Sequence, residues 1–169
     1  MWYVMQVCTG MEERIRLQCE ARIPEDILEK CFIFYYEEKK RIGGKWTTQK
    51  KTLYPGYLFV VTEELEKLRE ELKTVEGLTK LIGTGETIVP LSQEEVGFLK
   101  RFGGENQVVE MSEGIIEQSK VIVTSGPLKG IEGFIKKIDR HKRKAYLEIP
   151  MFGRIQNVQV GLEIIAKRV

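Results

Sequence analysis

Five consecutive residues near the C-terminus, Arg140 to Lys144, read Arg-His-Lys-Arg-Lys. Cations held this close repel one another, and a phosphate backbone relieves the repulsion while releasing its own counterions. Arginine also reads guanine edges, which an irregular RNA hairpin exposes and a regular A-form helix hides. The run is therefore a candidate RNA-binding site, and the plain alternative is a solvated turn. We expect four further cations to join it: Lys129, Lys136, Lys137 and Arg154.

The other chemistry-bearing residues form no catalytic or metal-binding set. Cys8, Cys19 and Cys31 show no C-x-x-C spacing, and His141 is the only histidine. A zinc site needs more ligands, and a nucleophilic cysteine needs a basic partner. Paired acid–base motifs and a nucleophile elbow are missing too. We therefore expect no enzymatic activity, no metal and no cofactor, with all three thiols reduced.

Three glycines, at 126, 130 and 133, raise the possibility of a phosphate-binding loop. Such a loop ends in Lys-Ser or Lys-Thr and opens a helix, and neither feature follows here. Tight turns and bulges in a small β domain explain the three glycines better.

Charge is distributed unevenly along the 169 residues. Residues 1–114 carry 16 Lys+Arg against 20 Asp+Glu, a net charge of −4, whereas residues 115–169 carry 11 against 5, a net charge of +6. This asymmetry suggests two parts, of which the C-terminal part suits a polyanionic partner.

Strands alternate with helices through about residue 102, which indicates an α/β sandwich. Thr9 and Glu12 are expected to cap a first helix after the strand "WYVMQV". The glycines at 43–44 turn one β-branched, aromatic strand back into a hairpin, and "YPGYLFVVT" is a further strand. An amphipathic helix, "EELEKLREELKTV", and a short strand, "LTKLIG", follow. Ser92 and Glu95 form a capping box for a last helix.

The chain then changes character. Residues 104–114 are polar and glycine-bearing, which predicts a linker between an N-terminal domain of residues 1–103 and a C-terminal domain of residues 115–169. The C-terminal domain has short strands without helical spacing, which indicates a small five-stranded barrel. The predicted fold class is α+β: an α/β sandwich, a linker and a β-barrel.

Membrane insertion and export are not expected. No apolar run approaches the roughly 20 residues that span a bilayer, and "MWYVMQVCTG" lacks the basic start and apolar stretch of a signal peptide. We expect a cytoplasmic protein that does not bind membranes.

Four stretches, in order, resemble the NusG family of transcription elongation factors. "WYVMQVCTGMEERI", "LYPGYLFV" and "VEGLTKLIGTGETIVPLSQEEV" resemble the N-terminal domain of that family. "VIVTSGPLKGIEGFIKKID" fits the KOW motif, and "IPMFGRIQNVQV" matches the later strands of its SH3-like barrel. The resemblance implies a monomer that binds the β′ clamp of RNA polymerase through the N-terminal domain and a second partner through the barrel.

The resemblance also implies which residues meet polymerase. In NusG-type factors the strand matching "LYPGYLFV" lines a hydrophobic cavity that accepts helices of the clamp. Alternation puts Tyr57 and Phe59 on one face of that strand. A purely structural core is the alternative reading. The residues carried over are Tyr54, Tyr57, Phe59, Leu81 and Ile82.

The run from Arg140 to Lys144 departs from the housekeeping pattern, in which the loop after the second barrel strand is mixed or acidic. It is most similar to the LoaP paralogues, antiterminators that recognise an RNA hairpin in the leader of a long operon. The resemblance thus implies processive antitermination directed by a nascent RNA hairpin.

Two other functions stay open. A housekeeping NusG factor would use its barrel to bind the Rho terminator or a ribosomal protein. A ribosomal-type KOW module would bind RNA alone, but it leaves the polymerase-like cavity unexplained.

Overall fold

Three helices and fourteen strands lie in residues 1–84 and 86–169, which are the residues that the computed structural model describes. The helices are α1 (Glu12–Arg22), α2 (Leu65–Leu72) and α3 (Gln93–Gly103). The strands, in chain order, are β1 (Trp2–Val7), β2 (Lys30–Phe32), β3 (Tyr35–Ile42), β4 (Lys45–Thr52), β5 (Tyr57–Val61), β6 (Thr79–Leu81), β7 (Gly83–Thr84), β8 (Thr87–Ile88), β9 (Val108–Val109), β10 (Ser112–Glu117), β11 (Lys120–Ser125), β12 (Ile135–Asp139), β13 (Lys144–Met151) and β14 (Arg154–Arg168).

The chain divides into two units, and the mixed α+β class predicted from the sequence is confirmed. The first unit comprises Met1–Ile33 and Tyr54–Gly97. The second comprises Phe34–Leu53 and Phe98–Val169, so the β3–β4 hairpin groups with the C-terminal strands. The separation into domains of residues 1–103 and 115–169 stays a prediction. None of the described helices is long and apolar enough to cross a membrane.

The first unit is built on a four-stranded antiparallel sheet with the order β2-β5-β1-β6. Its helices form where the apolar spacing predicts them. Ile15 and Cys19 of α1 lie four residues apart and are both fully buried, and Leu68 and Leu72 of α2 are buried in the same way. The core of this unit therefore follows from local sequence pattern.

The helix caps confirm one prediction and correct another. Ser92 and Glu95 exchange two hydrogen bonds, Ser92 N–H to Glu95 Oε1 at 3.0 Å and Glu95 N–H to Ser92 Oγ at 3.1 Å, which is the predicted capping box. The predicted Thr9 cap is wrong, because α1 has no side-chain cap. The buried Glu12 instead accepts the N–H of Gly56 at 3.0 Å and thereby ties α1 to the turn before β5.

The second unit contains two sheets, with the orders β4-β3-β9 and β11-β10-β14-β13-β12. The segment predicted as a linker, residues 104–114, contains β9 and the start of β10. Val108 and Val109 pair in parallel with Tyr35 and Tyr36 of β3. A two-residue pairing with a strand so distant in sequence leaves no local pattern, which is why the sequence did not reveal it.

The fifteen-residue strand β14 changes partner part-way along its length. Its first part pairs antiparallel with β13, and residues from Leu162 onward pair parallel with β10. Gly161 lies at this junction, where an added Cβ would stand 2.6 Å from the Glu37 carbonyl oxygen of β3 and 2.0 Å from the Met111 sulfur. Glycine is therefore required where the hairpin backbone meets β14.

The five strands predicted for the C-terminal region are present. Strands β11 and β12 form the two edges of their sheet, and no pairing joins them in the residues that the structure describes. The closed barrel is therefore not confirmed. A 3₁₀ turn (Glu132–Phe134) connects the two edge strands in the chain.

The three cysteines differ in exposure, which predicts their reactivity. Cys8 is exposed and Cys19 is buried. The hydrogen bond with Cys19, together with burial, raises the pKa of the Cys31 thiol. We expect a thiol reagent to modify Cys8 rapidly in the native protein and Cys19 only after unfolding. Cys8→Ser should remove the fast phase, and denatured, unreduced protein should titrate three thiols. A total of one would reveal a disulfide.

Candidate nucleic-acid interface

The basic turn joins β12 to β13 and is held in place by its own residues. The backbone N–H of Lys142 donates to Asp139 Oδ1 at 2.9 Å, and Arg143 adopts a positive φ of 56°. This hydrogen bond lowers the pKa of Asp139, and the charges of Lys142, His141 and Lys137 lower it further. Because Asp139 stays ionised, it fixes the shape of the turn.

Three residues of the turn face solvent: Arg140, His141 and Lys142 are all exposed. Lys136 and Lys137 of β12 are exposed as well, because the register with β13 shifts between Ile135 and Lys137. The five side chains lie within seven residues of sequence, three in the turn and two along β12. They form what we term the basic turn surface.

Arg143 lies against the β3–β4 hairpin. Its guanidinium carbon is 3.8 Å from the centre of the Trp46 ring, within cation–π distance, and its Nη1 is 3.4 Å from Glu163 Oε1. Glu163 also binds Lys39, with an Nζ–Oε2 distance of 2.8 Å. The hydrogen bond from Lys39, and then the charges of Lys39 and Arg143, lower the pKa of Glu163.

Lys144 takes part in a second, more buried ion pair. Its Nζ is 3.0 Å from Glu38 Oε2 and 3.3 Å from Gln159 Oε1, and the Glu38 side chain is only 5% exposed. The Tyr36 hydroxyl donates to the same carboxylate at 3.2 Å. Burial, followed by the Glu38 charge, raises the pKa of Tyr36. Lys144 therefore neutralises a buried carboxylate, a structural role that the sequence did not indicate.

Two cations of the predicted RNA site, Lys129 and Arg154, lie outside the basic turn surface. Lys144 pairs with Gly161 at one end of β13, whereas Arg154 pairs through Met151 at the other end. Eight residues of strand separate these ends by roughly 23 Å. Lys129 is exposed in the loop after β11, outside the basic turn surface. A role for these two residues in RNA binding stays a prediction.

The predicted polymerase residues divide between the two faces of the first-unit sheet. Phe59 pairs with Val4, and Tyr57 is two residues away on the same face, as alternation predicts. Leu81 pairs with Met5 and so lies on the opposite face. Ile82 follows β6 and is half-buried.

Burial separates these residues further. Phe59 and Tyr54 are buried, with 0% and 2% exposure, whereas Tyr57 is half-buried. The ring of Phe59 lies 5.7 Å from that of Tyr54 and 6.0 Å from that of Phe32. Trp2 meets Phe32 edge-on at 5.0 Å. Sequence reasoning missed Trp2 and Phe32, because only the strand register brings them beside Phe59.

Comparison with known protein families and with individual relatives gives the same family. Residues 1–100 match the sequence profile of the family described as "Transcription termination factor nusG". The NusG protein of Deinococcus radiodurans is 31% identical, over 98% of both chains. That of Thermus thermophilus is 28% identical, over 98% of this chain and 97% of the relative.

The chain belongs to the NusG family. These relatives are named transcription termination/antitermination proteins, and the resemblance seen in the sequence is confirmed at this level. A solved structure entitled "Domain interaction in Thermotoga maritima NusG" matches with a TM-score of 0.62 at 20% identity, over 96% of this chain and 93% of that one. At this identity the match supports the fold.

This NusG-family chain contains a second basic feature, which sequence reasoning missed. Residues 39–51, most of the β3–β4 hairpin, contain six Lys+Arg and no Asp+Glu. The net charge of residues 1–114 does not reveal this segment, because acidic residues elsewhere in that part of the chain outweigh its cations. The charge of a segment of about a dozen residues would have revealed it.

No group of three or more possible metal ligands occurs in the part of this NusG-family chain that the structure describes.

The buried pair predicts unequal effects of two lysines, at positions 142 and 144, in this NusG-family chain. Lys144→Met should lower the free energy of unfolding by about 2 kcal/mol, because it leaves the buried Glu38 carboxylate without its closest cation. Lys142→Met, at an exposed position, should change it by less than about 0.5 kcal/mol. The free energy of unfolding of both variants is measured by urea denaturation. Equal stabilities would contradict a structural role for Lys144.

Proposed function

We propose that the protein is a specialised NusG-family antitermination factor, most similar to the LoaP paralogues. It binds RNA polymerase through a domain of residues 1–103 and captures a nascent RNA hairpin through an SH3-like KOW domain of residues 115–169. The observation that carries the proposal is the basic turn surface, where Arg140, His141 and Lys142 extend into solvent from a turn fixed by Asp139.

The charges on this surface favour RNA over a protein partner. Four cations are exposed within seven residues: Lys136, Lys137, Arg140 and Lys142. The one acid in this segment, Asp139, accepts a hydrogen bond from the backbone of the turn. Phosphate contacts would supply affinity, and Arg140 is suited to guanine edges in an irregular stem. Arg143 and Lys144 join less directly, because hairpin residues already bind them.

Polymerase binding is assigned to the first unit. Tyr57 is the member of the aromatic strand with surface left to bury, whereas Tyr54 and Phe59 are buried and pack against each other. Aromatic anchors of this kind dominate many interfaces. The β′ clamp is the partner that family resemblance suggests, with Leu81 and Ile82 as further candidates.

Two attachment sites on one monomer would make the factor selective. RNA held by the second site raises the effective concentration of the protein near the polymerase that made this RNA. The action is cytoplasmic and needs no cofactor or membrane.

A housekeeping NusG factor is the second candidate. The relatives named as termination/antitermination proteins favour it, because their similarity extends over nearly the whole chain. In that case the C-terminal domain would bind Rho or a ribosomal protein, and the basic turn surface would only be solvated.

The polymerase proposal predicts different outcomes for two aromatic residues. Tyr57→Ala should weaken polymerase binding by about 2 kcal/mol while the protein stays folded, because part of the side chain is exposed. Phe59→Ala should instead destabilise the fold by roughly 3 kcal/mol or more, because it empties a fully buried site. The measurements are pull-down with bacterial polymerase and thermal unfolding. Unchanged pull-down by Tyr57→Ala would remove Tyr57 from the interface.

The RNA proposal is tested by selection from a randomised stem–loop library. The wild-type protein should enrich one stem–loop, and Arg140→Ala with Lys142→Ala should weaken its binding about tenfold and lower the salt slope by roughly one to two units. Polymerase binding should not change. Lys67→Ala with Lys73→Ala, two exposed cations of the first unit, is the charge-matched control. Selection without enrichment, or equal affinity of both double variants, would favour the housekeeping function.

A further inference from the structure

The tip of the β3–β4 hairpin carries cations that the basic turn surface does not account for. Lys40, Arg41 and Lys45 are exposed around the Gly43–Gly44 turn. No ion pair to a carboxylate involves any of the three within the residues that the structure describes. Other cations of the same hairpin are engaged: Lys39 binds Glu163, and Lys51 lies 4.0 Å from Glu38. The unneutralised charge is therefore concentrated at the tip.

Solubility alone does not explain the composition of the tip. Lysines on an edge strand such as β4 do discourage edge-to-edge association. The same tip, however, exposes 50% of Ile42 and 40% of Trp46, which a purely protective edge would avoid. Cations interleaved with an exposed aromatic are typical of nucleic-acid surfaces, where the aromatic stacks on bases or sugars.

Trp46 connects this tip to the basic turn. It pairs directly with Arg41 across the hairpin, so the two side chains share one face, whereas Lys40, opposite Thr47, and Lys45, opposite Ile42, lie on the other face. The Arg143 guanidinium lies 3.8 Å above the Trp46 ring. Arg143 belongs to the β12–β13 turn, and its neighbour Lys142 is exposed. A continuous path therefore runs from Arg41 through Trp46 and Arg143 to Lys142.

We propose that Lys40, Arg41, Lys45 and Trp46 form a second arm of the RNA-binding surface. This inference rests on the proposed function, because the ligand is the structured RNA bound by the turn. Arg41 contacts phosphate on the face that carries Trp46, and Lys40 and Lys45 reach neighbouring phosphates from the other face of the tip. The basic turn surface contacts the opposite side of the stem–loop. Trp46 positions Arg143 between them and offers its exposed edge to the RNA. A single turn recognises few phosphates, whereas two arms enclose a stem–loop and distinguish it from an extended strand.

The test compares three variants with the stem–loop that the wild-type protein selects. The tip variant is Lys40→Ala, Arg41→Ala and Lys45→Ala together. The turn variant is Arg140→Ala with Lys142→Ala. The charge-matched control is Lys67→Ala, Arg69→Ala and Lys73→Ala, which removes two exposed cations of α2 and a third directly after it. Affinity is measured across a salt series, polymerase pull-down is measured in parallel, and circular dichroism confirms folding.

The tip variant should bind the stem–loop about tenfold more weakly, with a salt slope lower by roughly two units, and the control should match the wild type. If the tip variant binds like the control while the turn variant is weakened, the second arm is wrong and the proposed function stands. If no variant is weakened, the proposed function fails. A tip variant that loses polymerase and retains RNA would also overturn the inference, because the tip would then be a protein contact.

Tryptophan emission gives a readout that does not depend on removing charge. The chain has two tryptophans, so Trp2→Phe leaves Trp46 as the sole emitter. Saturating stem–loop should change its emission, and the unselected single strand of the same composition should not. Unchanged emission, together with unchanged affinity of the tip variant, would overturn the inference.

Discussion

The buried carboxylate of Glu38 is the constraint on which the second unit depends. A carboxylate this deeply enclosed is tolerated only when its charge is compensated and its oxygens are hydrogen-bonded. Lys144 supplies the charge, and the Tyr36 hydroxyl supplies a further hydrogen bond. Because Lys144 is the first residue of β13, the pair anchors the start of that strand to the hairpin. Asp139 accepts a backbone hydrogen bond at the other side of the turn, so the exposed residues lie between two anchored ends.

The run from Arg140 to Lys144 is thus divided in function although it is uniform in sequence. The first three residues are exposed, and the last two are held by the hairpin. The like charges of the turn repel one another. Glu38 and Glu163 reduce this repulsion, because they form ion pairs with Lys144 and Arg143. The same ionic contacts stabilise the second unit and leave a defined set of cations for a ligand. In a NusG-family protein, this arrangement lets one short segment serve stability and recognition together.

Features encoded by neighbouring residues were predictable, and features encoded by distant ones were not. The Gly43–Gly44 hairpin, the Ser92–Glu95 box and the leucine spacing of α2 are local, and all three are confirmed. The pairing of β9 with β3 joins segments about seventy residues apart, so residues 104–114 looked like a linker. At the candidate site, charge density identified the turn, but a lysine's sequence context does not reveal a buried glutamate a hundred residues away. Alternation identified the face of Phe59, but not its complete burial.

Gly161 has a consequence for how relatives of this chain can be read. The Glu37 carbonyl oxygen occupies the space that any side chain at this position would need. A homologue with alanine or a larger residue there must hold its hairpin farther from the last strand, and the Trp46–Arg143 stack would then open. Whether this position holds glycine or a residue with a side chain is therefore diagnostic. Together with an acid–lysine pair matching Glu38 and Lys144, it divides family members into those whose β3–β4 hairpin can approach the last strand this closely and those whose hairpin cannot, before any of their structures is known.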